Sequence, residues 1–132
     1  MLNKVIIIGR LTDDPKTRHV SDNPDSGTIV EFSIAYNRRY PVGEEWKEES
    51  HFFDVKAFGR LAQSLGERLL KGYLVVLEGR LVQEKWTDRE GKHQTKVRIV
   101  AESVKIISKP KGESVQEEDT TDGPFGDEGL NF

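Results

Sequence analysis

Four residues at alternate positions, Phe52, Asp54, Lys56 and Phe58, set two aromatic rings around a carboxylate and an ammonium. In an extended strand, positions two apart project to one face, so these four share a surface while Phe53, Val55 and Ala57 share the other. A solvent-side strand face ordinarily carries small polar and charged groups, and two phenylalanines flanking a lysine there need an explanation. The chemistry open to such a surface is specific. A nucleobase stacks its flat π face on an exposed ring, contributing roughly 1–3 kcal/mol per base whatever the sequence, while a neighbouring cation meets phosphate. Ring and cation recur together elsewhere: Tyr40 follows Arg38-Arg39, Trp46 precedes Lys47, and Trp86 follows Lys85. For any one ring the alternative is that it caps a core or is buried against a neighbouring subunit; four in the same setting weigh against that.

Bond-breaking chemistry finds no comparable constellation. Metal-assisted hydrolysis needs convergent carboxylates or histidines. Glu44, Glu45, Glu48 and Glu49 cluster without a spacing that would fix a metal and read as a solvated loop, and His19, His51 and His93 are isolated in sequence. With no cysteine, disulfides, thiolate metal sites and thiol nucleophiles are excluded. The chain reads as a binding protein without catalytic residues, metal or cofactor.

The elements that must hold the rings are mostly strands. Val30, Phe32, Ile34 and Tyr36 alternate with Glu31 and Ser33, the signature of a half-buried strand. Comparable strands are expected over residues 4–11, 52–58, 73–81 and 96–107. A single segment, 61–70, spaces Leu61, Leu65 and Leu69 as one helical face, with Lys71-Gly72 as its stop. Gly66 inside it costs roughly 1 kcal/mol relative to Ala, so a close packing partner is expected. The order strand, strand, strand, helix, strand, strand is that of an all-β, five-stranded OB-fold barrel with one short helix between strands 3 and 4. Loops near 15–27 and 38–50 and a turn at 86–91 would project from it.

At 132 residues the chain has room for one domain and a tail. Residues 1–109 carry 19 Lys and Arg against 16 Asp and Glu, a balance of +3, whereas 110–132 carry one Lys against seven acids, a balance of −6. The net charge of −3 therefore conceals a mildly basic body with an acidic appendage. Large apolar residues nearly vanish after Lys109, so 110–132 is expected to be a disordered tail. The apolar run near the N-terminus, Val5 to Ile8, is far too short for a membrane span or a signal-peptide core, so no export or membrane insertion is indicated, and with the lack of cysteine a cytoplasmic location is expected.

Several blocks in order carry a resemblance. Asn3-Lys4-Val5-Ile6-Ile7-Ile8-Gly9-Arg10-Leu11 with Asp14-Pro15, then Phe58-Gly59-Arg60-Leu61-Ala62, Lys71-Gly72, Glu78-Gly79-Arg80-Leu81, Lys85-Trp86-Thr87-Asp88 and Gly91 resemble the bacterial single-stranded-DNA-binding proteins over about residues 2–107. The resemblance implies an OB-fold protein, commonly a homotetramer, that coats single-stranded DNA in replication, recombination and repair without altering it, in the nucleoid-associated cytoplasm. It also implies base stacking by Tyr40, Phe52, Phe58 and Trp86, with Tyr40 and Phe52 standing where many relatives carry tryptophan. Arg38, Arg39, Lys56, Arg80, Lys85 and Arg98 are the candidates for phosphate contacts, although any one of them could equally be a solvated surface charge.

The family's tail ends in acids, an apolar residue, proline and phenylalanine. Here Asp127, Glu128, Leu130 and Phe132 fit, while Asn131 replaces the proline. The implied partners are replication and repair proteins with basic, apolar pockets; a merely solubilising tail is the alternative. Phe53, Val75, Leu77 and Val100 either add to an oligomer interface or simply fill the barrel. A different OB module, such as a replication-restart factor or an RNA-binding domain, is the rival to the family reading.

Overall fold

The computed structural model describes residues 1–23 and 26–110. The acidic tail expected beyond Lys109 lies, except for Pro110, outside the described residues. The elements run β1 (Val5–Leu11), β2 (Lys16–His19), β3 (Thr28–Val42), β4 (Glu45–Phe58), α1 (Gly59–Arg68), β5 (Leu74–Thr87) and β6 (His93–Ser108). Strand order in the sheet is β1-β5-β6-β4-β3-β2, and β1 pairs with β3 as well as β5. Through that double pairing the sheet closes on itself. The contact of β4 with β6 is parallel, at Val55–Ile99 and Lys56–Val100. The result is the expected five-stranded closed OB barrel. Its helix follows the fourth strand in chain order only because β2 adds a short edge strand that sequence reasoning left inside a loop.

Alternation builds the core. Thr28, Val30, Phe32 and Ile34 of β3 turn inward with Val55 and Ala57 of β4 and Val75 and Leu77 of β5. Each fully buried Val, Leu or Ile contributes about 1.5–3 kcal/mol. Leu65 of α1 and Leu69, the extended residue just past its end, are buried in the same core, so the helix stops two residues short of the expected 61–70 segment. Gly66 has the packing its presence required: a β-carbon there would lie 2.6 Å from Thr17 Oγ1, so β2 rests directly on the helix. Of the residues weighed for an oligomer interface, Val75, Leu77 and Val100 are buried in the monomer, and only Phe53, 38% exposed, remains available.

The 38–50 segment is a correction. It is no loop: β3 and β4 stay paired in one unbroken register from Ile29–Phe58 to Val42–Glu45, forming a long hairpin arm that turns at Gly43, whose φ of +62° suits glycine. Both faces of the distal arm are wet, so the apolar alternation that reveals a strand is absent. Cross-strand pairs hold it instead. Arg38 donates to Glu49 at 2.9 Å, Ser50 to Asn37 at 2.7 Å, and the Tyr36 and His51 rings stack 6.1 Å apart. Glu45, Glu48 and Glu49 are therefore strand residues, with Glu44 at the turn. The 86–91 turn is present just beyond the end of β5, where Asp88 accepts hydrogen bonds from the Glu90 and Lys92 amides.

Candidate nucleic-acid interface

Register decides which side chains meet. On β4, Val55 and Ala57 are fully buried, so Phe52, Asp54, Lys56 and Phe58 face outward as the alternation requires, with Phe52 66% and Phe58 48% exposed. Across β3 the same face carries Glu31 and Ser33, paired with Lys56 and Asp54. From β6 and β5 it receives Lys96 and Arg98, and Glu84 and Trp86, in the register Glu84–Lys96 and Trp86–Gln94. Trp86 is 48% exposed. Three of the four expected stacking rings thus lie on one continuous outer face.

Tyr40 does not join them there. It pairs with Lys47, out of phase with the Pro41–Trp46 pair, and so lies with Arg38 and Tyr36 on the other side of the arm. The Arg38 guanidinium sits 5.1 Å from its ring centroid. Trp46 takes the outer side, capped by Arg39 at 5.5 Å, which makes it the arm residue in line with Phe52.

Between the rings runs a lattice of ion pairs that sequence reasoning missed. Glu84 accepts from Lys56 at 2.8 Å through one carboxylate oxygen and from Arg98 at 3.0 Å through the other. Arg98 also lies 3.9 Å from Glu31, which in turn pairs with Arg18 at 3.2 Å. Asp54 accepts from the Ser33 hydroxyl at 2.5 Å and pairs with Lys96. Hydrogen bonding to Lys96 and Ser33 holds the Asp54 carboxyl below the usual aspartate range, and the bond to Lys56, followed by that to Arg98, does the same for Glu84. These groups come from five strands, so only their separate positions, not their meeting, are readable in the sequence.

The expected phosphate contacts divide accordingly. The Lys56 and Arg98 side chains are only 18% and 15% exposed and already paired. Arg80, beyond the irregularity at Glu78/Gly79, lies 3.4 Å from Glu102. Arg38, Arg39 and Lys85 are exposed. Lys85 and Trp86 line an open cleft of about 340 Å³ with Thr87, His93, Gln94 and Thr95 at the tip of the β5–β6 hairpin. Among the described residues, no three His, Asp or Glu side chains group to hold a metal, and no helix is long and apolar enough to cross a membrane.

Comparison with known proteins points the same way. Residues 2–107 match the model of the "Single-strand binding protein family". A single-stranded DNA-binding protein of Aquifex aeolicus is 54% identical over 125 residues, covering 94% of this chain and 82% of its own. A small single-stranded DNA-binding protein from Streptomyces coelicolor superposes with a TM-score of 0.64 at 29% identity, over 80% of this chain and 95% of the other. The Plasmodium falciparum SSB in complex with ssDNA shares the fold at a TM-score of 0.72 and 20% identity, over 82% of this chain and 97% of that one.

Proposed function

The chain belongs to the single-strand binding protein family, a family of DNA-binding proteins and not of enzymes, and on that premise we propose that it binds single-stranded DNA by laying unpaired bases on the outer face built by β3, β4, β5 and β6. The observation that carries this reading is the coplacement of exposed Phe52, Phe58 and Trp86 on one sheet surface with no core to fill. Bases stack on these rings irrespective of sequence. Trp46 extends the track along the arm, and Tyr40 receives the strand as it passes to the arm's other side. Arg39 and Lys85 meet phosphate first because they are exposed; Arg38 and Arg80, exposed but paired with Glu49 and Glu102, and the half-buried Lys56 and Arg98 reach it by exchanging a carboxylate partner.

The same reading gives the protein its setting in replication, recombination and repair in the cytoplasm. Residues 110–132 act as a tether, with Asp127, Glu128, Leu130 and Phe132 as a peptide for basic pockets on partner proteins. Assembly to a homotetramer is supported by Ile6, two-thirds exposed on the outer side of β1 with Ile8 and Val76 beside it. Light scattering tests the tetramer; a monomer refutes it.

Titration with oligo(dT) at low and high salt, followed by tryptophan fluorescence, tests the binding mode. Salt-dependent quenching by single strands that weakens in Trp86→Ala is the expected result. Equal affinity for duplex of the same length, or no binding, would mean a different OB module.

A further inference from the structure

The lattice between the rings is an unusual floor for a polyanion. Three carboxylates, Glu31, Asp54 and Glu84, stand among four cations, and Glu84 spends both oxygens on two of them. A phosphate arriving here finds its natural partners occupied and meets negative charge at the points where it would bind. A base loses nothing, because stacking on Phe52, Phe58 or Trp86 needs no cation. Moreover, the carboxylates are themselves acceptors for exocyclic amino groups on bases. The depressed protonation of Asp54 and Glu84 keeps both charged wherever DNA is bound near neutral pH.

Resting on the base-stacking reading above, we propose that Glu84, supported by Glu31 and Asp54, sets the preference of this face for single over double strands. By holding Lys56, Lys96 and Arg98 in ion pairs, the carboxylates withdraw the phosphate contacts on which duplex binding depends. Ring stacking remains, and only unpaired bases can use it. Glu84 is a positioning residue in this account: it acts through the two cations it holds.

The test is the ratio of affinities. Duplex binding is almost wholly electrostatic, and each additional phosphate neutralised by a freed cation steepens its log–log salt slope by about 0.9, so Glu84→Gln should steepen the duplex slope by about 1 to 2 and raise duplex affinity about tenfold at low salt. Single-strand affinity should rise no more than about threefold, since stacking supplies most of it. Glu31→Gln and Asp54→Asn should move the ratio in the same direction by less. Glu67→Gln, an equal charge change on the exposed side of α1, should leave it unmoved, separating the lattice from net charge. A lattice that merely stiffens the sheet would lower thermal stability in Glu84→Gln and leave both ratio and slope as they were. An unchanged ratio, equal gains for both ligands, or the same shift in Glu67→Gln overturns the proposal. Trp86→Ala in the same titrations keeps the two readings apart: if it binds single strands as the parent does, base stacking at Trp86 fails whatever Glu84→Gln shows.

Discussion

The β3–β4 hairpin is two structures in one register. From residue 28 to 35 on β3 and 52 to 58 on β4, one face is buried in the barrel, with Phe53 at its exposed margin, and the other displays rings and ion pairs; from 36 to 51 both faces are in water. Backbone pairing is uninterrupted across the boundary, so the difference lies wholly in the side chains. The inner half is held by burial, at kilocalories per residue. The outer half is held by cross-strand pairs worth about 0.2–1 kcal/mol each. A region anchored by burial can expose Phe52 and Phe58 rigidly, whereas a region held by weak pairs can bend to follow a flexible ligand.

Breaking the inner half should therefore cost most. Ile34→Ala, at a fully buried β3 position, is expected to lower global stability by about 2–5 kcal/mol, read from denaturant unfolding at unchanged m-value. Next comes the outer face of the same half. Phe52→Ala removes a ring that packs on no core and should weaken oligo(dT) binding by about 1–3 kcal/mol. Its thermal midpoint should stay within a few degrees of the parent's. A fall comparable to that of Ile34→Ala would mean the ring is structural.

The same boundary explains what could be read in advance. Where burial holds the hairpin, residue type reports position: Val30, Phe32 and Ile34 announce the strand, and Phe52 and Phe58 stand out because they break its polar face. Where pairs hold it, Arg38-Arg39 and Glu48-Glu49 look like a charged loop until they are folded about Gly43, when opposite charges fall into register. That mirror arrangement was the available signal. β2 left a fainter one, since its four residues are all exposed and an edge strand of that length needs no apolar side. The OB order and the three exposed rings of the outer face, Phe52, Phe58 and Trp86, were legible from local pattern. The Glu84 lattice was not, because its partners on β3, β4 and β6 become neighbours only when the barrel closes.

The outer arm offers a gentler break. Arg38→Ala removes the solvent-exposed bond to Glu49 and the cap over Tyr40, so global unfolding midpoints should stay close to the parent's. Amide exchange should nonetheless accelerate at residues 37–40 and 47–50 while the protection of Val30 and Val55 holds. Equal loss of protection in both halves would show that the hairpin opens as one unit and that the boundary has no energetic meaning.

Acid sharpens the contrast, because each half carries a carboxyl held in its charged form. Asp54 in the inner half lies below its ordinary value of 3.8 through Lys96 and Ser33, and Glu49 in the arm lies below 4.5 through His51 and Arg38. A carboxyl depressed in the folded state takes up its proton later than in the unfolded chain. Its stabilisation is therefore complete above the unfolded value and lost as pH falls through the folded one. For Asp54 the loss belongs to the barrel, so global stability should decline below about pH 4, and Asp54→Asn should flatten that decline while starting from a lower plateau at neutral pH. For Glu49 the loss belongs to the arm, so protection factors at 37–40, corrected for the intrinsic pH dependence of exchange, should fall at a pH where unfolding midpoints have not yet moved. If Asp54→Asn retains the parent's acid slope, the Lys96 and Ser33 contacts do not stabilise the folded barrel, and the ion pairs on this face serve its ligand alone.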